Sequence, residues 1–252
     1  MIRIVSLALQ TVSCDYAHLS LCCIQAKAEY TRKMDVFMKK RNFLLPFGLL
    51  AAFVVWTALV CLVDVQPIGP GGSAVGFGFL NGWMHNTTGV NWQMYVLTDW
   101  LGLVPVAVGF GFGILGLFQW IKRKSILAVD IDLLILGGFY LVTVAAYLLF
   151  EQVVINYRPV LIEGVLEASY PSSTTLLVLC VMPAAMAQFQ SRIENKILRN
   201  IVLTSVGAFI AFMVLGRILS GVHWLSDIVG GTLLSSGLVT LYCVLVRKFR
   251  KN

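Results

Sequence analysis

The chain has 252 residues, of which 58% are hydrophobic and only 12% are charged. A soluble domain of this length would carry about twice that charged fraction, so the composition excludes an ordinary soluble fold and indicates an integral membrane protein. The formal net charge is +7. The basic residues form short clusters beside apolar runs, which argues against nucleic acid as a partner. The six cysteines show no metal-ligand spacing, and we interpret them as small apolar residues.

Residues 1–41 are predicted to form a cytoplasmic N-terminal segment. Their first stretch, 1–13, is weakly apolar but too short to span a bilayer, and no convincing signal-peptide cleavage site follows it. Met34 and Met38 are both plausible starts, because a basic cluster and then an apolar run follow directly after Met38. We therefore assign no function upstream of Met34.

Six apolar runs follow, and we predict that each crosses the bilayer as a helix. The predicted spans are 43–63, 100–121, 131–150, 171–187, 201–215 and 226–246. The predicted fold is an all-α, integral membrane six-helix bundle over residues 42–246, followed by a basic cytoplasmic tail at 247–252. The connections 64–99, 151–170 and 217–225 then fall on one side of the membrane.

Basic residues are segregated between the two sides of this predicted bundle. The other side holds all the basic clusters after residue 38, at 39–41, 122–124, 192–199 and 247–251. By the positive-inside rule, this pattern predicts a multi-pass protein of the cell membrane with both termini in the cytoplasm. The outer connections hold only Arg158 and Arg217, and ionisable residues close to the membrane are functional candidates.

The stretch 216–227 places an arginine, a histidine and an aspartate between two apolar runs. His223 and Asp227 are four positions apart, so a helix starting here would put them on one face, one turn apart. A carboxylate in that position can fix the tautomer of an imidazole and raise its basicity. Arg217 offers a planar fork of donors suited to phosphate. The alternative interpretation is a satisfied polar cluster at a helix end.

Two further polar stretches lie on the same side of the predicted bundle. Arg158-Pro159 follows the third span, and the sequence Tyr-Pro-Ser-Ser-Thr-Thr at 170–175 opens the fourth. Pro, Ser and Thr before a long apolar run predict a helix N-terminus, which offers free backbone N–H groups to an anion. Singly, these stretches would be an ordinary loop ion pair and an ordinary helix cap. Because all the motifs fall on one side, we predict a shared anion site there.

Two other motifs are assigned no function. Residues 111–116 match the dinucleotide pattern G-x-G-x-x-G, but they lie inside an apolar span with no strand before it. We interpret these glycines as positions of close helix packing. The sequon at 86–88 is a formal glycosylation site on an outer connection, and so short a match is weak evidence.

The polar motifs resemble those of the type 2 phosphatidic acid phosphatases, a family related to the vanadium haloperoxidases. That family carries Lys-x6-Arg-Pro, Pro-Ser-Gly-His and Ser-Arg-x5-His-x3-Asp, in this order. Here residues 158–159 match the end of the first motif, 171–172 the start of the second, and 217–227 the core of the third. The resemblance covers about residues 43–246 and implies a six-span fold with its active site at the outer membrane face.

The resemblance also implies roles for individual residues. His223 would be the nucleophile that accepts phosphate, and Asp227 would orient its ring. The phosphate oxygens would be held by side chains and by backbone amides of the fourth span, at Arg158, Arg217, Ser172, Ser173 and Thr174. The resemblance implies neither a metal nor another cofactor for hydrolysis.

The chain departs from the family pattern at three places. Glu151 stands where the family has the lysine, the Ser-Thr pair 173–174 replaces Gly-His, and Gly216 replaces the serine of the third motif. The missing histidine would be the general acid, a group that typically contributes about 10²–10⁴ in rate. Glu151 is our candidate replacement acid, and His85 in the first outer connection is a weaker one.

These observations predict a membrane phosphatase or phosphotransferase acting on a lipid phosphate or an isoprenoid pyrophosphate through a phosphohistidine. Its partners would be the bilayer and the lipid substrate, with no nucleic acid. Two alternatives stay open: a relative that binds phospholipid headgroups without turnover, and a lipid transporter or scramblase. The last is the weakest, because the ionisable residues sit near span ends and not at mid-membrane.

Overall fold

The computed structural model describes residues 43–250 and is helical wherever it is regular. In this part of the chain, eight α-helices follow one another: α1 Leu44–Leu62, α2 Gly78–Thr88, α3 Trp92–Leu101, α4 Leu103–Arg123, α5 Ile131–Gln152, α6 Ser173–Arg192, α7 Lys196–Ser220 and α8 Leu225–Phe249. Between 43 and 250 there are isolated bridges, such as Tyr157 with Ala168, but no strand. The predicted all-α class is confirmed. The predicted segment 1–41 lies outside the described residues.

Six stretches between 43 and 250 are long and apolar enough to cross a bilayer: α1, α3 and α4 taken together, and each of α5 to α8. They coincide with the six predicted spans, so the chain is a multi-pass membrane protein. The helices extend beyond the predicted spans, since α7 covers Lys196–Ser220 where the sequence predicts 201–215. Helix α8 continues to Phe249, so part of the predicted tail is helical. Hydropathy misses these end turns because they carry charged residues.

The connection between the first two spans is folded, whereas its polar, glycine-rich sequence predicts a loop. It contains α2 and then α3, which Gly102 separates from α4. Buried Asn81 on α2 donates through Nδ2 to Ser226 Oγ (2.8 Å) and to Gly76 O (2.7 Å), and its Oδ1 accepts from Ser226 N (3.1 Å). These hydrogen bonds join α2 to the first turn of α8, a contact that local sequence pattern does not encode.

Helices α6 and α8 form the centre of the bundle. Half of the most apolar window of each is buried, against 11–22% for the other four spans. Helix α8 packs against α1, α5 and α6, and small residues allow the close approach. A Cβ at Gly230 would lie 2.6 Å from the Tyr170 ring, and one at Gly237 would lie 2.7 Å from Leu50. The two central helices thus fix the position of the residues at their ends.

The two ends of the bundle carry different polar groups. At one end, Arg192 pairs with Asp130 (3.1 Å) and with Asp132 (3.2 Å), which ties α6 to the start of α5. At the other end, the connections 63–91, 153–172 and 221–224 meet, and we call it the site end. There Ser172 N donates to Asp227 O at 3.1 Å. All the functional motifs lie at the site end, on the side that the span count predicts.

The orientation of the bundle is open to a direct test. Val165 at the site end is 60% exposed, and Ser125 at the opposite end is exposed as well. In a variant without native cysteines, we expect Val165→Cys in intact cells to react with a membrane-impermeant maleimide. Ser125→Cys should react only after permeabilisation, because the positive-inside rule predicts that its end faces the cytoplasm. The reverse pattern would place the site inside, and labelling of both positions would contradict the span count.

Candidate active site

The polar motifs meet around the ring of His223, which lies between α7 and α8 and is 5% exposed. Its Nε2 is 3.3 Å from Arg158 Nη1 and 3.0 Å from Arg217 Nη2. Its Nδ1 lies on the other side of the ring, 3.0 Å from Ser169 Oγ and 3.2 Å from Ser169 O. The structure therefore brings the predicted nucleophile and both predicted arginines together, and adds a serine that the prediction does not contain.

The helix boundaries around His223 differ from the sequence-based expectation. Helix α8 begins two residues after His223, and Asp227 is its third residue. The prediction that His223 and Asp227 share a helical face is therefore wrong. The reason is Gly221, whose φ of +65° ends α7 in a sharp turn and delays the start of α8. Arg217, expected in the connection, lies instead in the last turn of α7.

Asp227 is fully buried and satisfied by donors other than the imidazole. Its Oδ2 accepts from Ser169 Oγ (2.5 Å) and from Trp224 N (3.0 Å), and its Oδ1 accepts from Asn156 Nδ2 (3.0 Å). Within residues 43–250, no hydrogen bond joins Asp227 directly to His223. The side-chain hydrogen bonds that link this carboxylate to the ring run through Ser169.

Arg158 forms an ion pair across its own connection. Its Nε lies 3.0 Å from Glu167 Oε2, and the two residues flank a short hairpin turn. Glu151 is exposed in the last turn of α5, where its carboxyl interacts with Tyr147. Because α5 ends at Gln152, Glu151 and Arg158 are not on one helix, and no ion pair joins them in the described part of the chain.

Arg217 is 1% exposed and is held by α3. Its Nη1 is 3.3 Å from Thr98 Oγ1 and 3.9 Å from Asp99 Oδ1, and its guanidinium carbon lies 5.4 Å from the centre of the Tyr95 ring. A cation over an aromatic face is attracted by the ring quadrupole. Helix α3, which the sequence places partly in a loop, therefore supplies the wall of the site behind Arg217.

Gly216 stands where the family motif has serine, and α3 explains why a side chain is missing there. A Cβ at Gly216 would lie 2.6 Å from Thr98 Cγ2 and 3.3 Å from Met94 Sδ. Thr98 is fully buried and its hydroxyl reaches the neighbouring Arg217. The space beside the motif is thus filled from α3, and a hydroxyl still contacts the arginine.

The N-terminus of α6 adds unpaired backbone donors to the site end. Ser172 precedes the helix, is fully buried, and accepts from Thr175 Oγ1 at 3.0 Å. The amides of residues 173–175 precede the intrahelical bonding pattern of α6. Thr174 and Asp99 both line a cleft of about 520 Å³. The predicted anion-binding helix end therefore shares this cleft with Asp99, which lies 3.9 Å from Arg217.

The environment of His223 favours its neutral form. Burial lowers the pKa of His223 well below the usual 6.5, and the positive charges of Arg158 and Arg217 lower that pKa further. The imidazole is therefore neutral near pH 7. Its Nδ1 faces two oxygens of Ser169 while Nε2 faces two guanidinium groups. We assign the proton to Nδ1, which leaves the Nε2 lone pair facing the arginines.

Six residues that contact the predicted site residues are not themselves predicted as site residues from the sequence: Tyr95, Thr98, Asp99, Asn156, Glu167 and Ser169. Asn156 and Ser169 stand within three residues of a predicted motif residue, so widening the motifs would have found them. Thr98 and Asp99 belong to a different span and carry no local signal.

A family model described as the PAP2 superfamily matches residues 107–251, more than half of the chain. The matched region contains every predicted site residue except the weaker acid candidate, His85. The chain belongs to the PAP2 superfamily. The resemblance inferred from the motifs at 158–159, 171–172 and 217–227 is thereby confirmed.

The PAP2 fold of this chain is also similar to a solved structure. The crystal structure of a transmembrane PAP2 type phosphatidylglycerolphosphate phosphatase from Bacillus subtilis matches with a TM-score of 0.52 and 17% sequence identity. The match covers 82% of this chain and 98% of that chain. At this identity the likeness shows a shared fold. No curated protein matches the chain.

The lowered pKa of His223 predicts the pH dependence of a PAP2 reaction in which this imidazole attacks. Since the neutral form persists below 6.5, kcat/KM should not fall as pH decreases through that value as it would for an ordinary histidine. Arg158→Gln removes one positive charge, so its acid limb should move to higher pH even though its rate is lower. Titration of the substrate's own phosphate affects the profiles of both proteins equally, so it does not cause a difference between them. An acid limb that stays in place in the variant would contradict the assignment.

Proposed function

We propose that the chain is a membrane phosphatase that hydrolyses a lipid phosphate or an isoprenoid pyrophosphate through a phosphohistidine at His223. The observation that carries the proposal is the convergence of Arg158 and Arg217 on Nε2 of a buried, neutral imidazole. A buried positive charge is costly unless an anion accompanies it. The flanking carboxylates of Glu167 and Asp99 are 41% and 59% exposed and balance the pair only partly. A bound phosphate would supply the remaining negative charge.

The proposed reaction has two steps at the same nitrogen. The Nε2 lone pair of His223 attacks phosphorus, the bond from phosphorus to the leaving oxygen breaks, and that oxygen takes up a proton. Water then attacks the phosphohistidine and returns one proton to the group that protonated the leaving oxygen. The N–P bond breaks, inorganic phosphate leaves, and the neutral imidazole is restored. Arg158, Arg217 and the amides of 173–175 would stabilise the charge on the phosphoryl oxygens. Removing one such donor typically costs about 10²–10³ in kcat.

The cleft beside the site supports a substrate with an apolar chain. It has a volume of about 520 Å³ and lies between α4, α5 and α6. Asp99, Ser173 and Thr174 line its site end. Except for Thr143, the following turns of the helices contribute mainly apolar side chains, among them Leu103, Val106, Val144, Leu148 and Leu177. A phosphate headgroup attached to a hydrocarbon chain fits this gradient better than a small soluble phosphate ester does.

A relative that binds headgroups without turnover is the second candidate. The observation in its favour is Thr174, which stands where the family has its acidic histidine and cannot donate a proton readily at neutral pH. On the first proposal another group must protonate the leaving oxygen. A pyrophosphate has a good leaving group and depends less on that proton.

Glu151 remains our candidate for the replacement acid. It lines a narrow cleft with Ser169 and Ser173, between the serine that contacts the His223 ring and the N-terminus of α6. His85 is a weaker candidate, because burial lowers the pKa of this imidazole and makes its cationic, proton-donating form scarcer.

The proposed function predicts a specific pattern of turnover. Purified protein should release phosphate from at least one member of a panel of lipid phosphates and isoprenoid pyrophosphates. His223→Ala should reduce release to background because no nucleophile remains. Asp227→Asn should keep a small residual rate, because the ring is present but its support is altered. Thermal unfolding of each variant serves as the control for folding.

Three outcomes would count against this pattern. Phosphate release by a folded His223→Ala protein would contradict the phosphohistidine. Headgroup binding by wild type without release from any substrate would favour the second candidate. Lipid redistribution between vesicle leaflets without hydrolysis would favour a scramblase.

The acid assignment predicts a dependence on the leaving group. Glu151→Gln should slow substrates with poor leaving groups, such as lipid monophosphates, much more than pyrophosphates, since only the former need the proton. Glu163→Gln is the matched control, because Glu163 is an exposed carboxylate on the connection that follows α5. Equal slowing of both substrate classes would show that Glu151 is structural. A selective effect in Asp99→Asn instead would transfer the role to Asp99.

A further inference from the structure

The hydroxyl of Ser169 lies between the imidazole of His223 and the carboxylate of Asp227. Ser169 Oγ is 3.0 Å from His223 Nδ1 and 2.5 Å from Asp227 Oδ2. Ser169, His223 and Asp227 are 2%, 5% and 0% exposed, so water does not compete for these bonds. The serine is therefore the contact through which the two motif residues meet.

The donor count fixes the direction of both bonds. Asp227 also accepts from Trp224 N and Asn156 Nδ2, the pattern expected of an ionised carboxylate. The single hydroxyl proton of Ser169 must then point at Asp227, since two oxygens 2.5 Å apart repel each other without it. Only lone pairs of Ser169 Oγ remain for His223 Nδ1, so this nitrogen must carry the hydrogen.

We propose that Ser169 is the positioning residue that couples Asp227 to His223. This inference rests on the proposed function, in which Nε2 attacks phosphorus. As the N–P bond forms, the ring becomes cationic and its Nδ1–H becomes a stronger donor. Ser169 Oγ accepts that hydrogen bond while Asp227 polarises the serine hydroxyl. The negative charge of Asp227 thereby stabilises the phosphorylated ring through one intervening hydroxyl group.

The backbone carbonyl of Ser169 limits how far kcat should fall when the side-chain hydroxyl is removed. Its carbonyl oxygen, 3.2 Å from His223 Nδ1, is retained in Ser169→Ala and keeps the ring roughly oriented. The variant should therefore lose the charge coupling without losing the nucleophile. A hydrogen bond to a charged group corresponds to a factor of about 10–100 in rate. The loss should appear in kcat with little change in KM, because Ser169 faces Nδ1 and the phosphate site lies at Nε2.

The first experiment is a double-mutant cycle on the purified full-length protein. Ser169→Ala and Asp227→Asn should each lower kcat, and the double variant should be about as slow as the slower single variant, because both break one path. The matched control is Ser235→Ala. Ser235 is a fully buried serine of α8 that donates to Gly231 O, and its removal should leave kcat unchanged. Multiplicative losses in the double variant, or a change confined to KM, would overturn the inference.

A second readout does not depend on turnover. The Nδ1–H proton of His223 should give a downfield NMR resonance that moves upfield in both Ser169→Ala and Asp227→Asn but not in Ser235→Ala. A resonance that responds to Asp227→Asn alone would overturn the coupling through Ser169. If the wild type hydrolyses nothing while the resonance behaves as expected, the proposed function fails and the coupling stands.

Discussion

The structure at the site end depends on keeping charged groups of both signs beside one imidazole, out of contact with water. Arg217, Arg158 and Asp227 are at most 9% exposed, and a buried charge left without partners destabilises the folded chain by several kcal/mol. Each charge accordingly has its own satisfying groups. Asp227 accepts hydrogen bonds from side-chain and backbone donors. The arginines contact hydroxyl, carboxylate and aromatic groups on neighbouring elements.

The need to give buried Arg217 polar and aromatic partners explains why the connection between the first two spans is folded. Helix α3 lies outside the central pair α6 and α8 and packs against α7. There it supplies Thr98, Asp99 and Tyr95 to Arg217. The fit is close enough that Gly216 has no room for a side chain beside Thr98. A departure from the family motif in α7 is thus matched by a residue on another helix, which sequence comparison within the motif does not reveal.

At the opposite end of the bundle, paired charged and polar groups join the helices to one another. There Arg192 joins Asp130 and Asp132, and Gln188 donates to Tyr242 at 2.8 Å between α6 and α8. These bonds fix the two central helices against α5. Ser172 is the N-cap residue of α6, and Asp227 lies in the first turn of α8. The contacts at the opposite end therefore also help to fix the positions of these two residues. Rigid supporting elements are what the proposed phosphate site would need.

The sequence by itself determined the six spans, the family and the grouping of Arg158, Arg217 and His223. Hydropathy is a local property, and a helix of about 20 apolar residues spans the bilayer whatever its neighbours are. The tertiary structure alone decided how Asp227 relates to the ring. One turn at Gly221 removed the expected helical pairing, and Ser169, 54 positions from His223, took the place between them. Such contacts join residues far apart in the chain, and no local pattern of hydropathy or capping specifies which distant side chain fills a buried gap.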